Sequence, residues 1–231
     1  MIRINKKIFV FIKKIQHKLV ETSFFLNNDL ESGAYLNLNL YSLYLIITKP
    51  KFRNAYYEAK LINVDGIGAT VIIFMVLSKW YSALGYKYWA CNYIIKNKEK
   101  SFFLFGGTEQ ENSNAVSNLS SDLEISINGI EGYSSNFKKE MIQLKQADIV
   151  FVGVGMPKQE LLILDYLKTI QSNKLVLFSC GGWIKQAAGL ERSVPSLFAL
   201  LKLEWIYRSF SREGHLKTRV LLPITKVIKF F

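Results

Sequence analysis

The chain has 231 residues, of which 50% are apolar and 21% are charged, and its formal net charge is +12. This length fits one sizeable α/β domain with an appendage, and the composition excludes an intrinsically disordered chain. Cys91 and Cys180 lie far apart in the sequence, and neither histidine has a cysteine near it. A structural zinc site is therefore not expected, and a reduced, cytoplasmic setting is predicted.

The positive charge is concentrated at the two ends of the chain. Residues 1–18 hold six Lys or Arg and no acid, and residues 202–231 hold seven bases and two acids, which leaves +1 for the rest. Both ends mix these bases with large apolar side chains. Proteins that bind nucleic acid more often spread their bases over a folded face, so nucleic acid is not expected as a partner. Chain ends that combine apolar and basic side chains instead favour binding to an anionic membrane surface.

A membrane-spanning segment is not predicted. The longest uninterrupted apolar run, Val71–Leu77, is far shorter than the roughly 20 residues that a spanning helix needs. The N-terminal run Ile8–Ile12 is too short for the core of a secretory signal, which has roughly 7–15 apolar residues. We therefore expect a cytoplasmic protein, peripherally associated with the inner face of the plasma membrane.

The first 20 residues predict an amphipathic helix, because isoleucines and leucine recur at spacings of three and four. Two interpretations stay open for this helix, packing on its own domain or contact with a membrane. Downstream, strands and helices alternate. Strands are predicted at 61–64, 101–105, 123–127, 148–152 and 174–179, and helices at 69–81, 109–118, 136–146 and 158–170.

This alternation with short turns predicts a Rossmann-like α/β domain over residues 31–195, with a mostly parallel sheet and helices on both faces. Residues 1–30, which precede this predicted domain, are assigned to a basic amphipathic segment. Residues 196–231 form a helical, basic, membrane-associating appendage.

Asp65 is the leading candidate for a catalytic group. It follows an apolar strand and precedes the turn residues Gly66 and Gly68, and open α/β sheets build their sites at the carboxyl ends of strands. A carboxylate placed there can take a proton from an attacking hydroxyl. An Asp at such a turn is equally suited to capping the next helix, and the residues alone do not separate these two roles.

A second turn follows the strand at 148–152. It carries Gly153, Gly155, Pro157, Lys158, Gln159 and Glu160. Two glycines before a helix start leave backbone N–H groups free to bind phosphate or sugar oxygens. Gln159 can donate and accept hydrogen bonds to a sugar or uracil, whereas Glu160 can bind a hydroxyl or cap its own helix. Strand-end glycine pairs also occur at Gly106-Gly107 and at Gly181-Gly182, where a plain turn is the alternative.

Three segments in this order resemble the bacterial WecG/TagA/CpsF glycosyltransferases, which form glycosyltransferase family 26. They are Asp65-Gly66-Ile67-Gly68, the Gly-x-Gly-x-Pro-Lys-Gln-Glu run at 153–160, and Leu-Glu-Trp-Ile-Tyr-Arg at 203–208. The resemblance implies a metal-independent, inverting transfer of a hexose, an N-acetylhexosamine or its uronic acid. The implied donor is a UDP-sugar, and the acceptor is a polyprenyl-diphosphate-linked sugar in cell-surface polysaccharide synthesis.

The same resemblance implies roles for particular residues. Asp65 is the general base. Asn37 or Asn39 represents the early Thr/Asn element of the family, and Asn39 is taken as the substrate-binding residue. Arg208 and Arg219 of the C-terminal segment complete the site and neutralise the UDP leaving group. No Asp-x-Asp motif is present in the sequence, so neither a metal ion nor another cofactor is expected. Arginine is well suited to diphosphate oxygens.

The chain departs from the family pattern in several places. Lys87 and Lys185 replace acids, and Ser193-Val194-Pro195 stands for Arg-Ala-Pro, with Arg192 one position early. The two lysines are compatible with a more acidic donor sugar or with weakened activity. A non-catalytic, membrane-associated protein that binds nucleotide sugars is therefore the alternative. A nicotinamide-dependent dehydrogenase is disfavoured, because neither glycine turn has a third glycine or a following acid at the expected spacing. The sequence leaves open the donor sugar, the acceptor sugar, the linkage and the oligomeric state, a homo-oligomer included.

The predicted role of the C-terminal arginines can be tested with Arg208→Ala and Arg219→Ala. If these side chains bind the diphosphate, each variant should turn over a soluble acceptor analogue at least about 10-fold more slowly, since hydrogen bonds between charged groups are the strong ones. Steady-state rates on that analogue, with binding to anionic liposomes measured in parallel, provide the check. Full activity of both variants would limit this segment to membrane anchoring.

Overall fold

The computed structural model of the chain describes residues 2–82, 86–133, 143–170, 174–190 and 220–230. Within these ranges the strands are β1 (Ile2–Ile4), β2 (Leu19–Val20), β3 (Gly33–Leu38), β4 (Leu61–Val64), β5 (Phe102–Gly106), β6 (Ile127–Ile130), β7 (Ile149–Gly153), β8 (Val176–Ser179) and β9 (Ile228–Phe230). The α-helices are α1 (Lys6–Ile15), α2 (Thr22–Asn27), α3 (Leu40–Thr48), α4 (Pro50–Glu58), α5 (Ile67–Leu77), α6 (Tyr86–Lys96), α7 (Glu109–Leu123), α8 (Lys158–Ile170), α9 (Trp183–Ala187) and α10 (Leu222–Val227). Short 3₁₀ helices lie at Gln16–Lys18 and Gln143–Gln146.

A parallel sheet forms the centre of the described chain, with its strands in the order β2-β4-β3-β8-β7-β5-β6. Every pairing in this sheet is parallel. Its inner strands are apolar on both sides, as expected for a sheet covered by helices on both faces. The predicted α/β, Rossmann-like class is therefore confirmed.

The two faces of the sheet carry separate hydrophobic cores. One core joins the sheet to helices α1, α3, α4, α5 and α8. The other joins it to α2, α6, α7 and α9, and it is dominated by aromatic rings. In this second core Phe151 and Phe178 stack with 5.3 Å between ring centroids, and Trp89 and Trp183 pack around them. The helices that follow the neighbouring strands β3 and β8 lie on opposite faces, and in open α/β sheets the ligand crevice forms at the carboxyl ends of such strands.

Local sequence chemistry explains where several helices begin and end. Asn39 and Ser42 form a capping box at the start of α3, and Thr108 and Glu111 form another at the start of α7. Helix α7 continues to Leu123 and ends where Glu124 adopts a left-handed conformation with φ 54°. The strand predicted at 123–127 was therefore placed too early, because the helix runs through its first position and β6 begins only at Ile127.

The N-terminal prediction of one helix over residues 1–20 is correct only for Lys6–Ile15. Ile2–Ile4 instead pairs antiparallel with Ile228–Phe230 near the C-terminus. Helix α1 packs its apolar side into the first core. Most of the helix predicted at 136–146 lies outside the described residues, and so does most of the segment after Pro195.

Two other helices differ from their predicted bounds. The helix predicted at 69–81 spans Ile67–Leu77 and ends where Ser78 adopts φ 54°, and the helix predicted at 109–118 continues to Leu123. The remaining predicted boundaries agree closely. Strand β4 and helix α8 match to the residue, and β5, β7 and β8 match within two residues at each end. Strand β3 was not predicted. Its polar Asn37 interrupts the apolar run that marks the other central strands. No helix in the part of the chain that the structure describes is long and apolar enough to cross a membrane.

Candidate functional site

The carboxyl ends of five neighbouring strands, β4, β3, β8, β7 and β5, bring most of the predicted site residues to one edge of the sheet. Strands β3 and β4 end in register, with Leu38 opposite Val64. The next residues, Asn39 and Asp65, therefore lie side by side. The backbone N–H of Asp65 donates to the carbonyl oxygen of Leu38 at 3.0 Å, which fixes this arrangement.

Asp65 is half-buried at this edge. The N-cap position of α5 belongs to Gly66, one residue beyond it, and no side-chain hydrogen bond caps the helix from that position. Gly66 has φ 76°, a left-handed conformation that favours glycine. Gly68 lies in the first turn of α5, where an added Cβ would come within 3.2 Å of Leu40. The position that a capping Asp would prefer is thus held by glycine.

Asn39 has a local role as the N-cap of α3. Its side-chain oxygen accepts a hydrogen bond from the backbone N–H of Ser42 at 2.9 Å. This bond ties the Asn39 side chain to the first turn of α3. Its predicted contact with substrate stays a prediction.

Beneath this edge, Asn37 connects three strands. Its side-chain oxygen accepts from Asn63 Nδ2 on β4 at 2.9 Å, and its own Nδ2 donates to the Ser179 carbonyl on β8 at 2.6 Å. The backbone N–H of Asn37 donates to Ser179 Oγ at 2.9 Å. Thr22 Oγ1 donates to the other end of the network, Asn63 Oδ1, at 3.1 Å. Asn63 is buried, so these bonds replace those it would make with water.

The hydroxyls of two tyrosines, the buried Tyr56 and the half-buried Tyr86, lie in the interior near the same point. Tyr56 donates its hydroxyl to the Asn37 carbonyl at 2.7 Å. Burial raises the pKa of Tyr56 well above its usual range, and the negative charges of Glu160 and Asp65 raise it further. Burial likewise raises the pKa of Tyr86, with Cys180 and Asp65 adding to the effect. Both phenols therefore stay protonated near Asp65 and can act only as neutral groups.

Sequence reasoning missed Asn63, Tyr56 and Ser179 as members of this network. The available indication was a polar residue inside each of three apolar strands, Asn37, Asn63 and Ser179. A lone polar residue in a strand does not reveal which other strand supplies its partner.

The turn after β7 places Gln159 and Glu160 in the interior. These residues are 2% and 0% exposed. Gln159 Nε2 donates to Glu160 Oε1 at 2.7 Å, and Gln159 Oε1 accepts from the backbone N–H of Gly181 at 3.2 Å. Gln159 therefore joins the first turn of α8 to the Gly181-Gly182 turn after β8. Lys158 is exposed at the start of the same helix. Their predicted contacts with substrate stay predictions.

The glycines of β5 and β7 allow the two strand ends to approach closely. A Cβ at Gly106 would lie 2.5 Å from the backbone of Gly153, so only glycine fits there. Gly155 and Pro157 complete the turn between β7 and α8. Gly107 follows β5 and packs near Glu111. All four predicted glycine turns lie at the same edge of the sheet.

Lys185, one of the two lysines that replace acids of the family pattern, forms an ion pair with Glu111, with 3.0 Å between Nζ and Oε1. Glu111 also accepts from the backbone N–H of Thr108 at the start of α7. The lysine charge is thus balanced by an acid at the end of β5. The side chain of Lys87 lies outside the described part of the chain.

Arg208 and Arg219 also lie outside the described residues, so their predicted approach to the site stays a prediction. Among the residues that the structure describes, no cluster of three or more His, Cys, Asp or Glu side chains has the arrangement of a metal site. The expected independence from metal remains a prediction as well.

Comparison with known proteins gives a match over nearly the whole chain. The sequence profile of the glycosyl transferase WecG/TagA/CpsF family matches residues 14–230. Among curated proteins, the chain is similar to the N-acetylglucosaminyldiphosphoundecaprenol N-acetyl-beta-D-mannosaminyltransferases of Staphylococcus aureus strains MRSA252 and NCTC 8325. Each is 38% identical over 80 residues, a segment that covers 33% of this chain and 31% of the relative.

The network beneath the site can be tested with Asn63→Leu. This nearly isosteric change removes the donor to Asn37 and the acceptor for Thr22, so we expect the free energy of unfolding to fall by about 1–3 kcal/mol. Urea denaturation measures this loss. Asn128→Leu is the matched control, because Asn128 is an exposed Asn on the edge strand β6. Equal stability of the Asn63 variant and the wild type would contradict a structural role for the network.

Proposed function

Because the chain belongs to the WecG/TagA/CpsF family of glycosyl transferases, we propose that it is an inverting glycosyltransferase that uses a UDP-sugar. The sugar, a hexose, an N-acetylhexosamine or its uronic acid, passes to a polyprenyl-diphosphate-linked sugar. The product enters a bacterial cell-surface polysaccharide such as an exopolysaccharide, capsule, teichoic acid or common antigen. The position of Asp65, directly after β4 and beside Asn39 at the carboxyl edge of the sheet, is the observation that carries this proposal.

The names of the similar Staphylococcus aureus proteins support the choice of substrates. Those proteins are named for transfer of N-acetylmannosamine to N-acetylglucosaminyl-diphosphoundecaprenol. The similarity covers about a third of either chain, so it supports the classes of donor and acceptor rather than a particular pair of sugars. We propose an N-acetylhexosamine as the first donor to test.

In the proposed reaction, the Asp65 carboxylate accepts the proton of an acceptor hydroxyl while that oxygen attacks the anomeric carbon of the donor sugar. The new C–O bond forms on the side opposite the diphosphate, and the anomeric bond to UDP breaks with inversion. UDP leaves with the electron pair of that bond. The neutral phenols of Tyr56 and Tyr86 do not compete with Asp65 as bases, because burial keeps them protonated.

The glycine turn before α8 is proposed to hold the diphosphate. Backbone N–H groups at the start of a helix favour bound anions. Lys158 is exposed at that position and adds a positive charge. Gln159, tied to Gly181, keeps this turn and the turn after β8 in a fixed relation, so that the donor meets a preformed surface. Arg208 and Arg219 are proposed to add the remaining positive charge.

Asp65→Asn tests the general base. The amide keeps the size of the side chain but cannot accept the proton, so turnover should fall by roughly 10²-fold or more. Binding of UDP, measured by calorimetry, and the thermal midpoint should stay near those of the wild type. Asp148→Asn is a useful control because it alters an Asp at the opposite end of the sheet, where Asp148 bonds to Ser101. Turnover of the Asp65 variant near the wild-type rate would refute the assignment and favour a helix-capping role for Asp65.

The source of charge neutralisation can be tested by removing divalent metal. If basic side chains neutralise the leaving UDP, the rate in EDTA should equal the rate in Mg²⁺ or Mn²⁺ within about twofold, since no metal ligand takes part in the step. The assay compares initial rates of UDP release under the three conditions, with a metal-dependent glycosyltransferase as the control for chelation. Loss of activity in EDTA that Mn²⁺ restores would show that a metal is required.

A further inference from the structure

Helix α5, which begins directly after Asp65-Gly66, is apolar on all sides. Ala69, Ile72, Ile73 and Val76 are buried against the first core. The opposite side carries Val71, Phe74 and Met75, which are 39%, 46% and 43% exposed. A helix that is hydrophobic all round is normally buried all round. One side of α5 therefore presents apolar area that the described chain does not cover.

Helix α1 packs beside α5 and extends this apolar area. Its buried side is formed by isoleucines and Phe11, while Phe9 and Val10 are 46% and 54% exposed. Trp80, just after α5, is half exposed, and its ring centroid lies 5.9 Å from that of Phe74. We call this set the docking face, and its members are Phe9, Val10, Val71, Phe74, Met75 and Trp80.

The charge around the docking face has one sign. Residues 2–20, 66–82 and 220–230, which supply α1, α5 and the paired ends of the chain, contain nine Lys or Arg and no Asp or Glu. Lys13 lies over the ring of Phe9, with Nζ 5.9 Å from its centroid. Long basic side chains placed this way keep their heads in the polar layer while their stems cover apolar surface.

A basic groove adjoins the docking face on the side of α4. It has a volume of about 560 Å³ and is lined in part by Lys6, Lys7 and Arg53, with Val10 at its margin. Lys14 lies over the ring of Tyr57, another lining residue, at 4.4 Å. The cations of Lys6, Lys7 and Arg53 can bind the phosphate of a lipid head group, while the acyl chains of the same lipid lie against the apolar residues of the docking face.

We propose that the docking face binds the interface of an anionic membrane, with its six apolar side chains at the level of the acyl boundary and the surrounding lysines among the head groups. Membrane association was predicted above for residues 196–231 and left open for residues 1–20, whereas the proposed apolar contact lies on α1 and α5. A second copy of the chain is a poorer occupant, because a symmetric contact would bring two purely basic surroundings together. Anionic lipid supplies the complementary charge.

The purpose of the contact rests on the proposed function. Phe74 lies seven residues after Ile67, the first residue of α5, which is about 10 Å along the helix axis. One end of α5 therefore reaches the membrane and the other reaches Asp65. An acceptor whose diphosphate lies at the bilayer surface would meet the general base without leaving the membrane.

The test is co-sedimentation of the full chain with vesicles of phosphatidylglycerol and phosphatidylcholine in equal parts. The double variant Phe74→Glu/Met75→Glu should partition at least about 10-fold more weakly than the wild type, because it replaces buried apolar area by charge at an anionic surface. Tyr88→Glu/Ile95→Glu is the matched control. Its two residues are exposed on α6, on the opposite face of the sheet, and it should bind as the wild type does. Thermal midpoints verify that both variants are folded.

Three results would overturn the proposal. The first is that the wild type fails to bind anionic vesicles, and the second is that the Phe74/Met75 variant binds them as well as the wild type does. The third is that sedimentation equilibrium without vesicles shows a dimer that this variant dissociates. Transfer assays separate this inference from the proposed function. The Phe74/Met75 variant should keep its turnover on a soluble acceptor analogue and lose it on a vesicle-embedded acceptor. If the wild type binds vesicles but transfers no sugar to either, the proposed function fails and the docking face stands.

Discussion

The hydrogen bonds of one side chain, Asn37, hold together the part of the sheet on which the site depends. Its amide oxygen accepts from Asn63 on β4, and its amide nitrogen donates to the Ser179 carbonyl on β8. Three adjacent strands are thereby fixed in register where they end. The positions of Asp65, Asn39 and the Gly181 turn follow from that register, because each of these residues comes one or two positions after its strand. A polar network that is satisfied in a buried setting specifies one arrangement more strictly than apolar contacts do.

The helices on the two faces of the sheet differ in how completely their apolar side chains are buried. The face with α2, α6, α7 and α9 is packed with aromatic rings, and its helices close over a tight core. The face with α1 and α5 leaves apolar side chains exposed, and the described segments that carry them, residues 2–20, 66–82 and 220–230, contain bases and no acids. The crevice edge lies between these faces. This asymmetry supports the proposed function, in which a water-soluble donor and a lipid-linked acceptor reach the site from different phases.

Several predictions from the sequence depended on local chemistry, and these agree with the structure. The apolar run at 149–153 indicates a strand, and the proline before α8 indicates the start of a helix. Neither signal depends on which elements pack beside these segments in the fold. The prediction of β6 failed because the left-handed turn at Glu124, which ends α7, leaves no pattern of apolar residues. Strand β3 was overlooked because Asn37 is polar, although this residue is the one that joins the strands. The pairing of Ile2–Ile4 with Ile228–Phe230 joins opposite ends of the chain, and no local pattern encodes it.

The sequence by itself determined the α/β class, the order of the central elements and the motif residues of the candidate site. These follow from periodicity and from residue types that act within a few positions along the chain. The tertiary structure alone decided that Gln159 and Glu160 are buried and connect two turns, that Lys185 is balanced by Glu111, and that α1 and α5 share an exposed apolar surface. The physical reason is that burial and pairing depend on contacts between strands and helices distant in sequence. A hydrogen-bond donor or a charge shows its chemical type in the sequence, but its partner is set only when the sheet brings the two together.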